Sequence, residues 1–215
     1  LWTYNPDENI MHKKKVEFTP ALLKIFDEII VNAGDNTKTD KTCDCIKVNI
    51  NKEDNEITVW NNGKGIDVVM HSQHNLLVPE LIFGQLLTST NYDDTEKRTT
   101  GGRNGYGAKL ANIYSTSFEV ETVDMERSKK FKQTFSNNMN DRTKAKVTDL
   151  KNVKEGYTKI KFSPDLKLFG LKELTDDIVN LMTKRVYDLS ATTDSNIKIY
   201  FNNKKIDINN FKKYI

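Results

Sequence analysis

Apolar residues recur at helical spacing in the segment that follows Thr19 and Pro20. Threonine is a common N-cap, and proline is tolerated at the first helical position because its missing N–H would have no helical partner there. The pattern predicts a helix that runs to about Asn36 and turns one face toward a core. Its apolar positions are Leu22, Ile25, Phe26, Ile29 and Ala33.

Alternating apolar and polar positions predict strands in several later segments. Residues 46–50 and 57–60 alternate on either side of a polar stretch, which is typical of an antiparallel hairpin. The segment from Asn61 to Gly65 is expected to end the second strand of that hairpin. Further strands are predicted at residues 118–123, 131–135, 144–149, 158–162 and 197–201.

Helical spacing returns from Pro79 onward, near residues 108–115 and over residues 172–189, whereas residues 5–19 look irregular. The order of these elements predicts an α/β fold, an α+β two-layer sandwich in which helices cover one face of a mixed, mostly antiparallel sheet. Because the sequence contains no linker-like stretch and no internal repeat, we predict a single domain over residues 1–215.

Composition excludes several classes of protein. The 215 residues are 37% hydrophobic, which is enough to form a core and argues against wholesale disorder. The 33 Lys and Arg against 30 Asp and Glu give a net charge of +3, which is too small to indicate nucleic-acid binding by itself. The apolar runs fall far short of the ~20 residues that span a bilayer, so we expect no membrane partner.

The two cysteines and the chain ends carry less information. Cys43 and Cys45 are separated by one residue and have no second pair at ligand spacing, which predicts reduced thiols rather than a disulfide framework or a zinc site. The chain starts at Leu1 without a methionine, and we expect it to be a piece of a longer protein.

The first candidate for chemistry is a polar stripe on the first helix, formed by Glu28, Asn32 and Asp35 at positions i, i+4 and i+7. At 100° per residue the stripe lies about 120° from the centre of the apolar face. A glutamate can act as a general base for a water, and the amide oxygen of an asparagine suits the hard cation Mg²⁺. The alternative is a stripe that only faces solvent.

The second candidate follows the predicted hairpin, where Asn61, Gly63 and Gly65 have the spacing Asn-x-Gly-x-Gly. The amide of Asn61 can both donate and accept hydrogen bonds, as recognition of adenine requires. An ordinary tight turn is the alternative, because Asn-Gly is a strong turn signal.

The third candidate is the glycine-rich segment from Gly101 to Lys109, which leads into a predicted helix. Glycines let backbone N–H groups approach an anion closely, and a helix N-terminus and a lysine add positive charge, so this pattern indicates phosphate binding. It differs from a P-loop, because Ala108 separates Gly107 from Lys109 and no hydroxyl follows. It also differs from the dinucleotide fingerprint, because the glycine spacing is reversed.

The order of these three motifs resembles the Bergerat ATP-binding fold, which type II topoisomerases, MutL-type repair proteins, chaperones and sensor histidine kinases share. Within that superfamily the segments 24–36, 60–66, 81–89 and 101–109 are similar to the ATPase domain of the eukaryotic DNA topoisomerase II family. Asn61 fits this branch, since the gyrase-type enzymes and the chaperones are expected to carry aspartate at the corresponding position.

The resemblance implies roles for individual residues. Glu28 would be the general base, Asn32 a Mg²⁺ ligand and Asn61 the contact to adenine. The remaining nucleotide contacts that it implies, or that the motifs above suggest, are Asp35, Gly63, Gly65, Ser89, Thr90, Asn91, Gly102, Arg103, Asn104, Gly105, Tyr106, Gly107, Ala108 and Lys109. Thr90 departs from the family's Ser-Ser-Asn motif at its middle position.

The family further implies a nuclear enzyme that binds ATP and Mg²⁺, closes as a homodimer and acts on DNA through the rest of a longer chain. We expect a transducer lysine and an N-terminal arm of the family to lie outside this chain, and therefore expect slow turnover. The alternative is a nucleotide-gated dimerisation module of a chaperone or MutL-like repair protein. The basic clusters at residues 129–132, 204–205 and 212–213 could contact DNA phosphates or only solvate the surface.

Overall fold

The computed structural model describes residues 1–85 and 106–214 of the chain. Its helices are α1 (Pro20–Thr39), α2 (Val78–Gly84), α3 (Gly107–Ile113), α4 (Asp176–Thr192) and α5 (Phe211–Tyr214), with a 3₁₀ turn at Leu166–Phe169. Its strands are β1 (Trp2–Asn5), β2 (Ile10–Lys13), β3 (Cys45–Asn51), β4 (Glu56–Gly63), β5 (Ser115–Asp124), β6 (Lys129–Ser136), β7 (Asp141–Arg142), β8 (Lys146–Asp149), β9 (Gly156–Pro164), β10 (Lys198–Phe201) and β11 (Lys204–Lys205).

The strands β3 to β11 form one sheet with the order β11-β10-β3-β4-β9-β5-β6-β7, and β8 also pairs with β6. The pair β10–β3 is parallel, and the other pairs among the described strands are antiparallel. The predicted mixed, mostly antiparallel sheet is therefore confirmed, as is the hairpin, which β3 and β4 form.

One face of the sheet is buried under helices. Alternate residues are buried over residues 46–50, 57–61 and 160–164, as the alternation of side chains in a strand requires. The buried positions include Ile46, Val48, Ile57, Val59, Phe118, Val120, Ile160 and Phe162, and they join the apolar face of α1 and residues of α4 in a single core cluster. The opposite face carries cross-strand ion pairs such as Lys161–Glu56 and Lys132–Glu119.

Helix α1 begins where the sequence predicts it, with Thr19 as N-cap and Pro20 at the first helical position. It buries all five predicted apolar positions, from Leu22 to Ala33. It extends three residues beyond Asn36 and ends at Thr39.

Two predictions about local structure were wrong. The segment predicted to be irregular contains β2, which pairs with β1 in a small antiparallel hairpin from Trp2 to Lys13. The last long helix starts at Asp176 rather than near residue 172, because the Thr175 hydroxyl accepts a hydrogen bond from the Ile178 N–H and caps the helix there. None of the described helices is both long enough and apolar enough to cross a membrane.

Candidate functional site

A cavity of about 450 Å³ lies between the helices and the buried face of the sheet. Its volume falls in the ~300–1,000 Å³ range of small-molecule sites. Helices α1 and α3 contribute to its wall, as do strands β4 and β9 and the segment around α2. The lining residues are Glu28, Ile29, Asn32, Ala33, Asn36, Val59, Asn61, Ile66, Ile82, Phe83, Tyr106, Gly107, Ala108, Leu110, Thr158 and Ile160.

Glu28 and Asn32 reach this cavity from successive turns of α1, as their spacing predicts. The Nζ atom of Lys24 forms a hydrogen-bonded ion pair with the Oε1 atom of Glu28 at 2.6 Å. This hydrogen bond raises the pKa of Lys24 above its ordinary value. Lys24 Nζ is also 4.0 Å from Asp27 Oδ2. The carboxylate of Glu28 is thus held on one side by a cation and opens to the cavity.

The start of α3 lies directly against that carboxylate. A Cβ atom on Gly107 would stand 1.8 Å from Glu28 Oε2 and 2.6 Å from its Cδ. A side chain at position 107 would have to displace the Glu28 carboxylate from this position, so the predicted glycine motif and the predicted base meet at one point of the cavity. Tyr106 and Ala108 line the cavity on either side of Gly107.

Asn61 and its strand neighbours form another part of the cavity wall. Asn61 is only 6% exposed, and it stands opposite Thr158 in the β4–β9 ladder. Its Nδ2 atom donates to the backbone oxygen of Asn62 at 2.9 Å and to the Sγ atom of Cys43 at 3.7 Å. A polar side chain therefore faces the cavity between apolar strand residues.

The turn after β4 is fixed by the end of β5. A Cβ atom on Gly65 would stand 1.9 Å from the backbone oxygen of Val123, and the backbone of Gly65 has a φ of +77°, so a side chain here is excluded twice over. The Thr122 hydroxyl accepts from the N–H of Ile66 at 3.0 Å and donates to the backbone oxygen of Tyr157 at 2.7 Å. The hydrogen bond from the Ile66 N–H to Thr122 holds Ile66 in place on the cavity wall.

Asp124, the last residue of β5, also holds the segment that follows this turn. Its carboxylate is buried and accepts hydrogen bonds from the backbone N–H groups of Val68 at 2.8 Å and Arg127 at 3.0 Å, together with an ion pair from the Arg127 guanidinium at 3.1 Å. Burial opposes ionisation of Asp124, but these donors outweigh it and hold the pKa of the carboxyl below its ordinary value.

Several predicted contacts lie away from the cavity wall that the described residues form. Asp35 is ion-paired with Lys38 at 3.4 Å, and Gly63 ends β4 against Asp40. Gly65 shapes the turn rather than the wall. Lys109 is 3% exposed, and burial lowers the pKa of its amine. Their contact with a nucleotide stays a prediction.

The remaining predicted contacts lie outside the described residues, and their contact with a nucleotide stays a prediction. They are Ser89, Thr90, Asn91, Gly102, Arg103, Asn104 and Gly105.

Sequence reasoning missed two polar residues of the cavity wall, Asn36 and Thr158, and the Cys43 thiol behind Asn61. Asn36 lines the cavity at position i+8 from Glu28, so an extension of the predicted stripe by one more turn would have found it. Thr158 arrives through the pairing of β9 with β4, and Cys43 arrives through the loop before β3. No local pattern marks either of these two.

The sequence of this chain matches a known ATPase family. The family model described as "Histidine kinase-, DNA gyrase B-, and HSP90-like ATPase" matches residues 19–166. The chain belongs to this ATPase family. The matched segment contains α1, the β3–β4 hairpin, α2, α3 and the strands β5 to β9, and thus every described element that lines the cavity.

Relatives within this ATPase family include enzymes named DNA topoisomerase 2. The chain is 53% identical to DNA topoisomerase 2 of Acanthamoeba polyphaga mimivirus, of which it covers 17%, and 53% identical to human DNA topoisomerase 2-beta, of which it covers 13%; both alignments include 100% of the chain. The crystal structure of the ATPase region of Saccharomyces cerevisiae topoisomerase II superimposes with a TM-score of 0.95 at 48% identity over 100% of the chain and 56% of that structure.

These likenesses confirm the predicted resemblance to the ATPase domain of eukaryotic DNA topoisomerase II, and they do not favour a chaperone or a MutL-like protein. The chain spans 13 to 17% of the length of the curated relatives named here, and 56% of the yeast structure.

Proposed function

We propose that this chain binds ATP with Mg²⁺ in the cavity and hydrolyses it, as the ATP-operated gate domain of a type II DNA topoisomerase. The observation that carries the proposal is the convergence of Glu28, Asn32, Asn61 and Gly107 on one cavity of about 450 Å³. These residues come from three separate elements, and they combine a carboxylate, two amides and a close backbone approach.

Glu28 is the group that suits hydrolysis rather than binding. Adenine and phosphate contacts do not require a carboxylate, whereas activation of an attacking water does. The Lys24 ion pair fixes one oxygen of Glu28, and the other oxygen lies against Gly107 at the start of α3. The first N–H groups of a helix have no partner within the helix, so the same point offers donors for phosphate oxygens.

The donor set fits Mg²⁺ only together with a nucleotide. Among the residues that the structure describes, no group of three or more His, Cys, Asp or Glu side chains is placed to hold a metal ion. Mg²⁺ is ordinarily bound by one or two protein oxygens together with substrate phosphates. Asn32 supplies such an oxygen one turn from Glu28, and the cation would neutralise charge on the phosphates.

Nucleotide binding would then drive association of two such domains. We infer a homodimer that closes on ATP and opens after hydrolysis, in a nuclear enzyme that contacts DNA through the rest of the longer protein. The small net charge of +3 is consistent with a domain whose direct ligand is ATP.

Calorimetry with a non-hydrolysable ATP analogue and Mg²⁺ tests the binding site. Asn61→Ala is expected to weaken binding by roughly 10-fold or more, because a buried polar contact to the base is lost. Asn49→Ala, on β3 and away from the cavity wall, is the matched control and should bind as the unchanged chain does. Equal binding by the Asn61 variant would contradict the assignment of the base site.

Sedimentation velocity with the same analogue tests the gate. The chain is expected to shift from monomer to dimer when the analogue binds. Binding without any change in size would leave an ATP site but contradict the nucleotide-driven gate.

A further inference from the structure

In the side-chain amide of Asn61, the nitrogen is hydrogen-bonded to protein acceptors and the oxygen faces the cavity. Both contacts of its nitrogen are to acceptors, the backbone oxygen of Asn62 at 2.9 Å and the Sγ atom of Cys43 at 3.7 Å. Among residues 1–85 and 106–214, no donor contacts its Oδ1 atom, although Asn61 is only 6% exposed and lines the cavity. The oxygen is therefore the polar atom that Asn61 offers to a ligand.

The acceptors bound by the amide nitrogen fix the orientation of the Asn61 side chain. Rotation of the amide by 180° about its Cβ–Cγ bond would place Oδ1 against the Asn62 carbonyl oxygen, and a carbonyl oxygen can only accept hydrogen bonds. It would also remove the N–H donor from the Cys43 sulfur. The two contacts therefore favour the same orientation.

Cys43 is itself held in place. It is 1% exposed, its backbone N–H donates to the backbone oxygen of Asp40 at 3.0 Å, and its side chain is also hydrogen-bonded to Asn36 on the cavity wall. Burial raises the pKa of its thiol to about 11, so the group stays neutral near pH 7. A neutral thiol accepts weakly from the Asn61 amide without adding charge to the site.

We propose that Cys43 is a positioning residue for base selection, which together with the Asn62 carbonyl oxygen holds the Asn61 oxygen toward the cavity. A purine whose 6-position carries an amino group can donate to this oxygen. A purine with a 6-oxo group would set one acceptor against another. The inference rests on the proposed function, because it requires the base to lie against Asn61 in the cavity.

The test compares the dissociation constants of the non-hydrolysable analogues of ATP and GTP, measured by competition against a fluorescent ATP analogue with Mg²⁺ present. Cys43→Ala removes one of the two contacts that hold the amide, and the preference for ATP over GTP is expected to fall about 3- to 10-fold, the size of one hydrogen bond. Cys43→Ser restores an acceptor and is expected to keep the preference. Cys45→Ala, two residues along the chain, is the control and should change nothing.

The readout is the ratio of the two dissociation constants, because a general loss of folded protein weakens the binding of both analogues alike. Cys43→Val keeps the bulk of the side chain without its acceptor, and it serves if the alanine variant does not fold; the same fall in preference is expected. An unchanged ratio in a folded Ala or Val variant would overturn the role of Cys43 while ATP binding stands. Failure of the unchanged chain to bind either analogue would instead overturn the proposed function.

Discussion

The Oε2 atom of Glu28 occupies the space that a side chain at position 107 would need, 1.8 Å from the place of a Cβ atom on Gly107. This contact joins the middle of α1 to the start of α3. It places the glycine motif and the carboxylate in one site, because a side chain at position 107 would have to displace the carboxylate.

Gly107→Ala is expected to lower the free energy of unfolding by about 1 kcal/mol, the low end of the cost of overpacking, because the methyl group has to displace only the flexible Glu28 side chain. The same change at an open helical position would instead stabilise by roughly 0.5–1 kcal/mol. Chemical denaturation measures the difference. In a Glu28→Ala background the space is free, so alanine at position 107 should be neutral or stabilising there. An equal cost in both backgrounds would show that this contact does not exclude the side chain.

The pairing of α4 with α1 gives a second prediction. Arg185 donates from Nε and Nη2 to Oδ1 of Asp27 at 2.9 and 2.6 Å, next to Glu28 in the chain. Arg185→Met keeps much of the apolar stem and removes the charge, and it is expected to lower the free energy of unfolding by about 1 kcal/mol, since the pair is partly exposed. A double-mutant cycle with Asp27→Asn should show that the two effects are not additive; strict additivity would rule the contact out as a source of stability.

Asp124 predicts a pH dependence. The folded-state pKa of its carboxyl lies below the ordinary value of 3.8, so the ionised group stabilises the fold above that value and the contribution is lost as the pH falls through the lower, folded pKa. Asp124→Asn should therefore be less stable than the unchanged chain at pH 6, and the gap should narrow below about pH 4. Denaturation curves at several pH values measure this gap. The exposed Glu53→Gln serves as the control, and a gap that stays constant with pH would contradict the assignment.

Cys43 predicts low thiol reactivity. With a pKa of about 11, its thiolate is about one part in a thousand at pH 8. Alkylation of Cys43 by iodoacetamide should be much slower in the folded chain than in urea, and it should be slower than alkylation of the half-buried Cys45. Peptide mass spectrometry follows both residues. Labelling of Cys43 at the rate of the denatured chain would show that the thiol is not buried as described.

The parts of the fold that depend on local pattern could be predicted from the sequence. The periodicity of α1 placed Glu28 and Asn32 on one side of the helix, and alternation found the β3–β4 hairpin. Contacts that depend on strand register could not be predicted in this way, as with Thr158 opposite Asn61. A strand of four residues, such as Ile10–Lys13, is too short to show alternation above the polar background.

Side-chain packing from distant segments also has no local signal. The Sγ atom of Cys43 reaches Asn61 across 18 positions of sequence, and the sequence showed only two cysteines without partners. The close approach of Gly107 to Glu28 likewise joins residues that the sequence separates widely, and it became visible only when α1 and α3 were placed together.

We propose that Glu28 activates the water that hydrolyses ATP. Glu28→Gln keeps the size of the side chain and removes its basicity, and its effect is measured as single-turnover ATP hydrolysis together with the dissociation constant of a non-hydrolysable analogue. The expected result is near-normal binding with hydrolysis slowed by about 100-fold or more. A variant that binds nucleotide and hydrolyses it at the rate of the unchanged chain would contradict the account.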